Sequence, residues 1–163
     1  MNFIKVEIQT QIENLAELAS EIWHEYWPCI LSLEQIDYMV EKFQSYNAIK
    51  NQMENENYFY FLLEDKNIFL GYVGVSVKKD NLFLSKLYIR KEYRGCGCGK
   101  LAFKKVLQLA KEFNKETIIL TVNKNNINTI KAYEKWGFKI VDAVVSDIGN
   151  GFVMDDFIME YQL

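Results

Sequence analysis

The chain predicts a single mixed α/β (α+β) domain over residues 1–163, with a mostly antiparallel central sheet flanked by helices. Three observations carry this. The chain has 163 residues of which 50% are apolar and 25% charged, enough to bury very roughly 70% of its unfolded surface without a metal or disulfide staple. The spacing of apolar residues switches repeatedly between the helical three-and-four and the strand period of two, in the order β-α-α-β-β-β-α-β-α-β-β. No stretch breaks composition sharply enough to be a linker, and no internal repeat is present.

The elements follow in order. Ile4, Val6 and Ile8 alternate with polar residues, so Phe3–Ile8 reads as a short strand. From Ile12 to Trp27, apolar residues recur at helical spacing, and Pro28 ends that helix. Ser32 with Gln35 opens a second helix to about Phe43, and a further helical stretch runs over 48–55. Three dense apolar runs, 58–63, 68–77 and 82–89, are separated by the short polar turns Glu64-Asp65-Lys66-Asn67 and Lys79-Asp80-Asn81, which makes an antiparallel meander. Leu101, Phe103, Val106, Leu107, Ala110 and Phe113 mark an amphipathic helix. A strand over 117–122, a helix over 126–136, a strand from Phe138 to about Val145, a Gly149-Asn150-Gly151 turn and a last strand over 152–161 complete the chain.

Charge is unevenly placed. Residues 86–115 carry nine basic side chains against Glu92 and Glu112, a local balance of +7, and the rest of the chain sums to −10. Residues 1–65 hold twelve acids and three bases. A net charge of −3 and the clustering of bases around one glycine-rich loop argue against a nucleic-acid binder. Cys29, Cys96 and Cys98 suit neither a disulfide framework nor a four-ligand zinc site, which predicts a reduced, cytoplasmic setting and no metal. Every apolar run is cut by charge before the ~20 residues a membrane span needs.

Arg94-Gly95-Cys96-Gly97-Cys98-Gly99-Lys100 falls between a strand and a helix, where backbone amides and the helix dipole face an anion. It is no P-loop, since Arg94 and Leu101 stand where that motif needs Gly and Ser or Thr. It is no dinucleotide fingerprint either, the second gap being one residue short. What Arg94, Gly97 and Gly99 form is R-x-x-G-x-G, which resembles the pyrophosphate loop of the GNAT superfamily of coenzyme A-dependent N-acetyltransferases. Further on, Leu120-Thr121-Val122-Asn123, then Asn126, Thr129 and Tyr133-Glu134-Lys135-Trp136-Gly137-Phe138, resemble that family's strand, N-x-x-A helix and Y-E-K-x-G-F ending. Thr129, Trp136 and Lys91 depart from the common Ala, Leu and Pro.

The resemblance implies a GNAT-like fold and acetyl-CoA as co-substrate. It assigns the cofactor to the strand end Leu87, Tyr88 and Ile89, to the loop residues Arg94, Gly95, Cys96, Gly97, Cys98, Gly99 and Lys100, with Arg90 beside them, and to Asn126. It makes Tyr133 the general acid: a phenol stays protonated at neutral pH and can donate to the departing thiolate. The cysteines, placed by the diphosphate, are not nucleophiles. No glutamate stands on the strand before the loop, so the base is open between water held by Ser85 or Tyr88 and a carboxylate such as Asp155 or Asp156. His24, in a stripe with Trp23, Tyr26 and Trp27, reads as structural.

Trp27, Tyr38 and Asp155 are candidate acceptor contacts. The aromatics and carboxylates of the first two helices suit a polyamine or other cationic amine, and the first part of the chain resembles the polyamine acetyltransferase branch in pattern. A small-molecule acceptor is expected rather than a protein, with a homodimer admitted. The alternatives are a non-catalytic acyl-CoA sensor or docking module and a protein N-terminal or lysine acetyltransferase.

Overall fold

The computed structural model describes residues 1–163. Its strands are β1 (Asn2–Lys5), β2 (Tyr58–Asp65), β3 (Ile68–Val77), β4 (Leu82–Ile89), β5 (Thr117–Asn123), β6 (Lys139–Gly149) and β7 (Phe152–Gln162). Its helices are α1 (Gln9–Tyr26), α2 (Leu33–Gln44), α3 (Tyr46–Asn55), α4 (Cys98–Glu112) and α5 (Ile127–Trp136). Three helices thus stand between the first two strands, the third covering the helical stretch read over 48–55 that the two-helix element order leaves out. The break between α2 and α3 is at Ser45, whose extended backbone stops one helix while its hydroxyl accepts from the Ala48 N–H and caps the next. Strand β1 ends three residues earlier than alternation predicts, because the Glu7 and Ile8 N–H groups donate to the Gln11 side chain at the start of α1.

The seven strands form one sheet in the order β1-β2-β3-β4-β5-β7-β6. Every pairing is antiparallel except β4 with β5. One face is covered by α4 and α5 over a cluster of 21 buried residues that includes Val73, Val75, Phe103, Val106 and Leu120. The other is covered by α1 and α3 over Leu15, Leu18, Ile22, Ile49, Tyr60 and Tyr72. A third cluster joins Trp23 and Trp27 to α2 through Ile36 and Met39. No helix is long and apolar enough to cross a membrane.

Two irregularities in the middle of the sheet position everything that follows. Parallel pairing of β4 with β5 is confined to Leu82 with Ile118 and Phe83 with Ile119, after which the strands splay. The β3–β4 register shifts there too: Gly74 pairs with Lys86 and Val75 with Leu84, leaving Ser85 as a bulge in β4. The bulge moves the strand's alternation by one. Leu82, Leu84, Leu87 and Ile89 pack on the α4 side, whereas Lys86 and Tyr88 turn toward α1 and α3.

Candidate active site

Below the splay the sheet opens into a cleft of about 830 Å³ that runs between β4, β5, α5 and the α1–α2 corner. The Arg90 N–H donates to the Leu70 carbonyl of β3. By strand alternation the backbone of Tyr88 also faces β3, and the N–H and C=O groups of Leu87 and Ile89 face the open side, where Arg94 takes the Ile89 carbonyl. The Leu87 N–H and C=O and the Ile89 N–H remain as a strand edge inside a cleft, able to accept an extended, amide-bearing chain as an added strand.

At the end of that edge the glycine loop turns into α4. Gly95 and Gly97 have φ of +78° and +90°, and Gly97 is the α4 N-cap. A Cβ on either would meet nothing within 4 Å, so open space lies beside the loop amides at the positive end of a 15-residue helix. Cys96, Gly97, Cys98, Gly99 and Lys100 lie outside the cleft lining, while Arg94 and Gly95 belong to it. The Cys98 side chain is buried under the sheet, with its sulfur 3.8 Å from that of Cys96. Arg94 does not stand free. Its guanidinium grips Glu25 of α1 through two hydrogen bonds, donates from Nε to the Ile89 carbonyl and covers the Tyr26 ring. Arg90 is held the same way, by Glu21 and the Phe69 carbonyl. Among the basic side chains expected by the phosphates, Lys100 alone makes no ion pair.

Tyr133 projects from α5 into the cleft. Asn126 caps that helix, buried, accepting from the Tyr26 hydroxyl, which also bonds Thr129. The opposite end is fixed by Gly137 at φ +106°, which lets the Phe138 N–H reach back to the Tyr133 carbonyl. Trp136 and Phe138 clamp the Tyr133 ring edge-on. Its hydroxyl has no hydrogen-bond partner within the chain, and burial pushes the phenol further above its ordinary value, so it stays protonated. Tyr26 and Tyr88 are its titratable neighbours, and Asp156 lies in turn beside Tyr88 in the same cleft.

Three acceptor-side expectations are corrected. Asp155 points out of the cleft and pairs with Lys124; its neighbour Asp156 points in, because residues alternate across β7. One Asp156 oxygen is buried without a partner, and burial beside Asp155 raises the carboxyl to about 6. Tyr38 does not reach the cleft either, since its hydroxyl donates to the Ile148 carbonyl and its ring packs on Phe152. None of the twelve acids in residues 1–65 lines the cleft; Trp27 does, with Trp23 and Tyr26. His24 lies on the outer face of α1, bonded to Asp37 and the Ser20 carbonyl, which raise its pKa, and takes no part in the lining. No cluster of three or more His, Cys, Asp or Glu side chains forms.

Sequence reasoning missed one group, at the buried end. Lys86, Gln44, Gln52 and Tyr58 line the cleft there, and the Lys86 ammonium donates to Tyr60, which donates to Gln52. Gly74 makes room for this, since a Cβ there would stand 2.6 Å from the Tyr60 ring. The signal available beforehand was a lysine inside a strand that is apolar but for the adjacent Ser85.

Comparison with known proteins agrees with this geometry. The model of the acetyltransferase (GNAT) family matches residues 16–138. The ribosomal protein bS18-alanine N-acetyltransferase of Haemophilus influenzae is 33% identical over 98 residues, which is 60% of this chain and 66% of that protein. The spermine/spermidine N(1)-acetyltransferase of Bacillus subtilis is 33% identical over 63 residues, 38% of this chain and 41% of that protein. The chain thus spans between about two-fifths and two-thirds of the length of these relatives. Among solved structures, the PaiA N-acetyltransferase of Thermoplasma acidophilum in complex with coenzyme A superposes over 100% of both chains with a TM-score of 0.81 at 22% identity. An aminoglycoside 6'-acetyltransferase type Ii superposes over 99% of this chain and 97% of that one with a TM-score of 0.70 at 18% identity. With the splayed strands, the glycine loop and the family match over most of its length, the chain belongs to the GNAT acetyltransferase family.

Proposed function

We propose that the protein is an N-acetyltransferase that moves the acetyl group of acetyl-CoA directly to the amine of a small molecule. The observation that carries this reading is the juxtaposition, in one cleft, of a free strand edge at Leu87 and Ile89 with a buried, unpartnered phenol at Tyr133. An acyl-CoA sensor needs the edge and the loop but has no use for the phenol. The edge and the loop fit coenzyme A: an amide-bearing pantetheine beside β4, and phosphates at the start of α4 near Lys100.

The chain's own groups then account for both protons. The neutral amine attacks the thioester carbonyl carbon, the carbon–sulfur bond breaks, and Tyr133 gives its proton to the leaving sulfur. Asp156 accepts the proton the amine sheds, from the side of the cleft facing Tyr88 and Tyr133. No acyl-enzyme is involved, and Cys98 is buried away from the cleft. Three free thiols fit a reducing, cytoplasmic compartment.

The test is release of free thiol from acetyl-CoA with a panel of diamines, amino acids, aminoglycosides and a peptide with N-terminal alanine. Amine-dependent release with any small amine supports the reading; coenzyme binding without any amine-dependent release would make the protein a sensor.

Asp156 supplies a second check in which stability and activity move in opposite directions. Its carboxyl titrates higher in the fold than in the unfolded chain, so ionisation at neutral pH opposes folding, and the cost vanishes at pH values below the ordinary carboxylate range. Asp156→Asn is therefore expected to raise the melting temperature at pH 7.5, with the gain disappearing near pH 3. The same change is expected to lower kcat/KM at pH 7.5 and to remove from the pH profile the step that Asp156, raised to about 6, gives the wild type. A lower melting temperature at pH 7.5 would show that the carboxylate is stabilised by partners other than those described.

A further inference from the structure

The buried end of the cleft holds a cation without a counter-ion. Lys86 is 5% exposed, and none of the chain's ion pairs includes it. Its ammonium donates to Tyr60 Oη at 2.7 Å and more weakly to Ser85 Oγ at 3.4 Å, and lies 4.9 and 5.2 Å from the ring centres of Tyr58 and Tyr60. An ammonium has three donors, so one has no partner in the chain. Glu56, the carboxylate whose charge it feels, is exposed and accepts from Asn51 instead.

Donor and acceptor roles around it are fixed by two relays. The Lys86 ammonium only donates, so Tyr60 Oη accepts from it and must pass its own proton to Gln52 Oε1; the Gln52 amide nitrogen in turn donates to the Phe43 carbonyl. The Trp23 indole only donates, so Tyr72 Oη accepts from it and donates to Gln44 Oε1. That leaves the Gln44 side-chain nitrogen, on a residue 2% exposed, with no acceptor in the chain. The donors left free at this end of the cleft are the third hydrogen of Lys86 and the amide hydrogens of Gln44, both on residues that line the same cavity, while the Tyr58 hydroxyl spends its proton on Ser85.

A buried ammonium sharing a cavity with an amide nitrogen that has no acceptor repels a polycation and matches a carboxylate. Lys86 and Tyr88 lie on one face of β4 two residues apart, roughly 6–7 Å along the strand. Tyr88 is beside Asp156 and Tyr133, where the amine reacts. Resting on the proposed N-acetyltransferase reading, we infer that Lys86 and Gln44 bind the carboxylate of the acceptor, so that the substrate class is a small amino acid whose reacting amine is separated from its carboxylate by several bonds. Burial alone draws the Lys86 ammonium down to about 7, and an incoming carboxylate restores its charge.

The experiment compares 5-aminopentanoate with 1,5-diaminopentane, two acceptors of equal length that differ in one carboxylate, on the wild type and on Lys86→Met. The wild type is expected to favour 5-aminopentanoate in kcat/KM by about tenfold or more. Lys86→Met should raise KM for 5-aminopentanoate by about 10–100-fold with little change in kcat, and should raise kcat/KM for the diamine by removing the repelling charge. Lys86→Gln, which keeps a donor, should fall between. A wild type that favours the diamine, or a Lys86→Met loss equal for both acceptors, would overturn the inference. Calorimetric titration with coenzyme A separates the two levels: binding to wild type and variant alike shows that the coenzyme site is intact, so that a failed acceptor preference counts against Lys86 alone. Absence of coenzyme binding in the wild type would bring down the acetyltransferase reading and this inference with it.

Discussion

Tyr133→Phe should lower kcat by roughly 10²–10⁴-fold, the range for loss of a positioned general acid, while acetyl-CoA affinity and melting temperature stay near wild type. The structure says why these parts separate. The ring is clamped by Trp136 and Phe138, and phenylalanine keeps those contacts. The hydroxyl bonds to no other group of the chain, so its removal strands no buried partner. A core tyrosine whose oxygen had a structural job would show the reverse pattern, a lower melting temperature with kcat nearly intact. Burial also holds the phenol above its ordinary value near 10, so no loss of activity from Tyr133 ionisation is expected anywhere between pH 6 and 9. Steady-state kinetics with a thiol reagent, beside a thermal melt of the same preparation, reads both quantities.

The second large effect is expected at Gly97→Val. This residue caps α4 at φ +90°, a conformation that costs a β-branched side chain at least 1–2 kcal/mol, on the order of the penalty for the left-handed region. An added Cβ touches nothing within 4 Å, so the fold itself is not overpacked. What changes is the loop: relief of the strain turns the amides at the head of α4, and the new side chain occupies the open space beside them. Coenzyme A affinity should fall at least about 100-fold, on the order of 3 kcal/mol by the usual conversion, with the melting temperature lowered by only a few degrees. Calorimetric titration checks it, and unaltered affinity would mean that the phosphates bind elsewhere. A dephosphorylated pantetheine fragment, which does not need the loop, should bind the variant and the wild type alike.

Most of the fold was legible in the sequence because it is written in periodicity. The α1, α4 and α5 stripes and the meander of β2, β3 and β4 stand where alternation and three-and-four spacing put them. The glycine loop stood out by its alternate glycines between a strand and a helix, and Tyr133 was picked out by the resemblance of its surrounding motif to the GNAT family. What could not be read came from local breaks in regularity. Straight alternation through Leu82, Leu84, Lys86 and Tyr88 puts all four on one face; the Ser85 bulge turns the last two over and sends a lysine into the cleft. Asp155 and Asp156 are interchangeable on composition, and only the register of β7 against Asn123 of β5 decides which one enters. Arg94 looks like a phosphate ligand from its motif, yet Glu25, 69 residues away in the chain, occupies its guanidinium. Long-range pairings of this kind leave no mark in a local pattern. The acidic residues of 1–65 likewise stay out of the cleft lining, most of them on α1, α2 and α3.

Coenzyme A seated in the splay beside β4 would pair with that strand, and residue-by-residue amide hydrogen exchange with and without coenzyme A reads that pairing. The expected pattern alternates along the strand. The N–H groups of Leu87 and Ile89, on the open edge, gain strong protection when coenzyme A is added. The N–H of Tyr88, already turned to β3, changes little. Protection gained at Tyr88 with none at Leu87 and Ile89, or gained only at the α1–α2 corner, would contradict it.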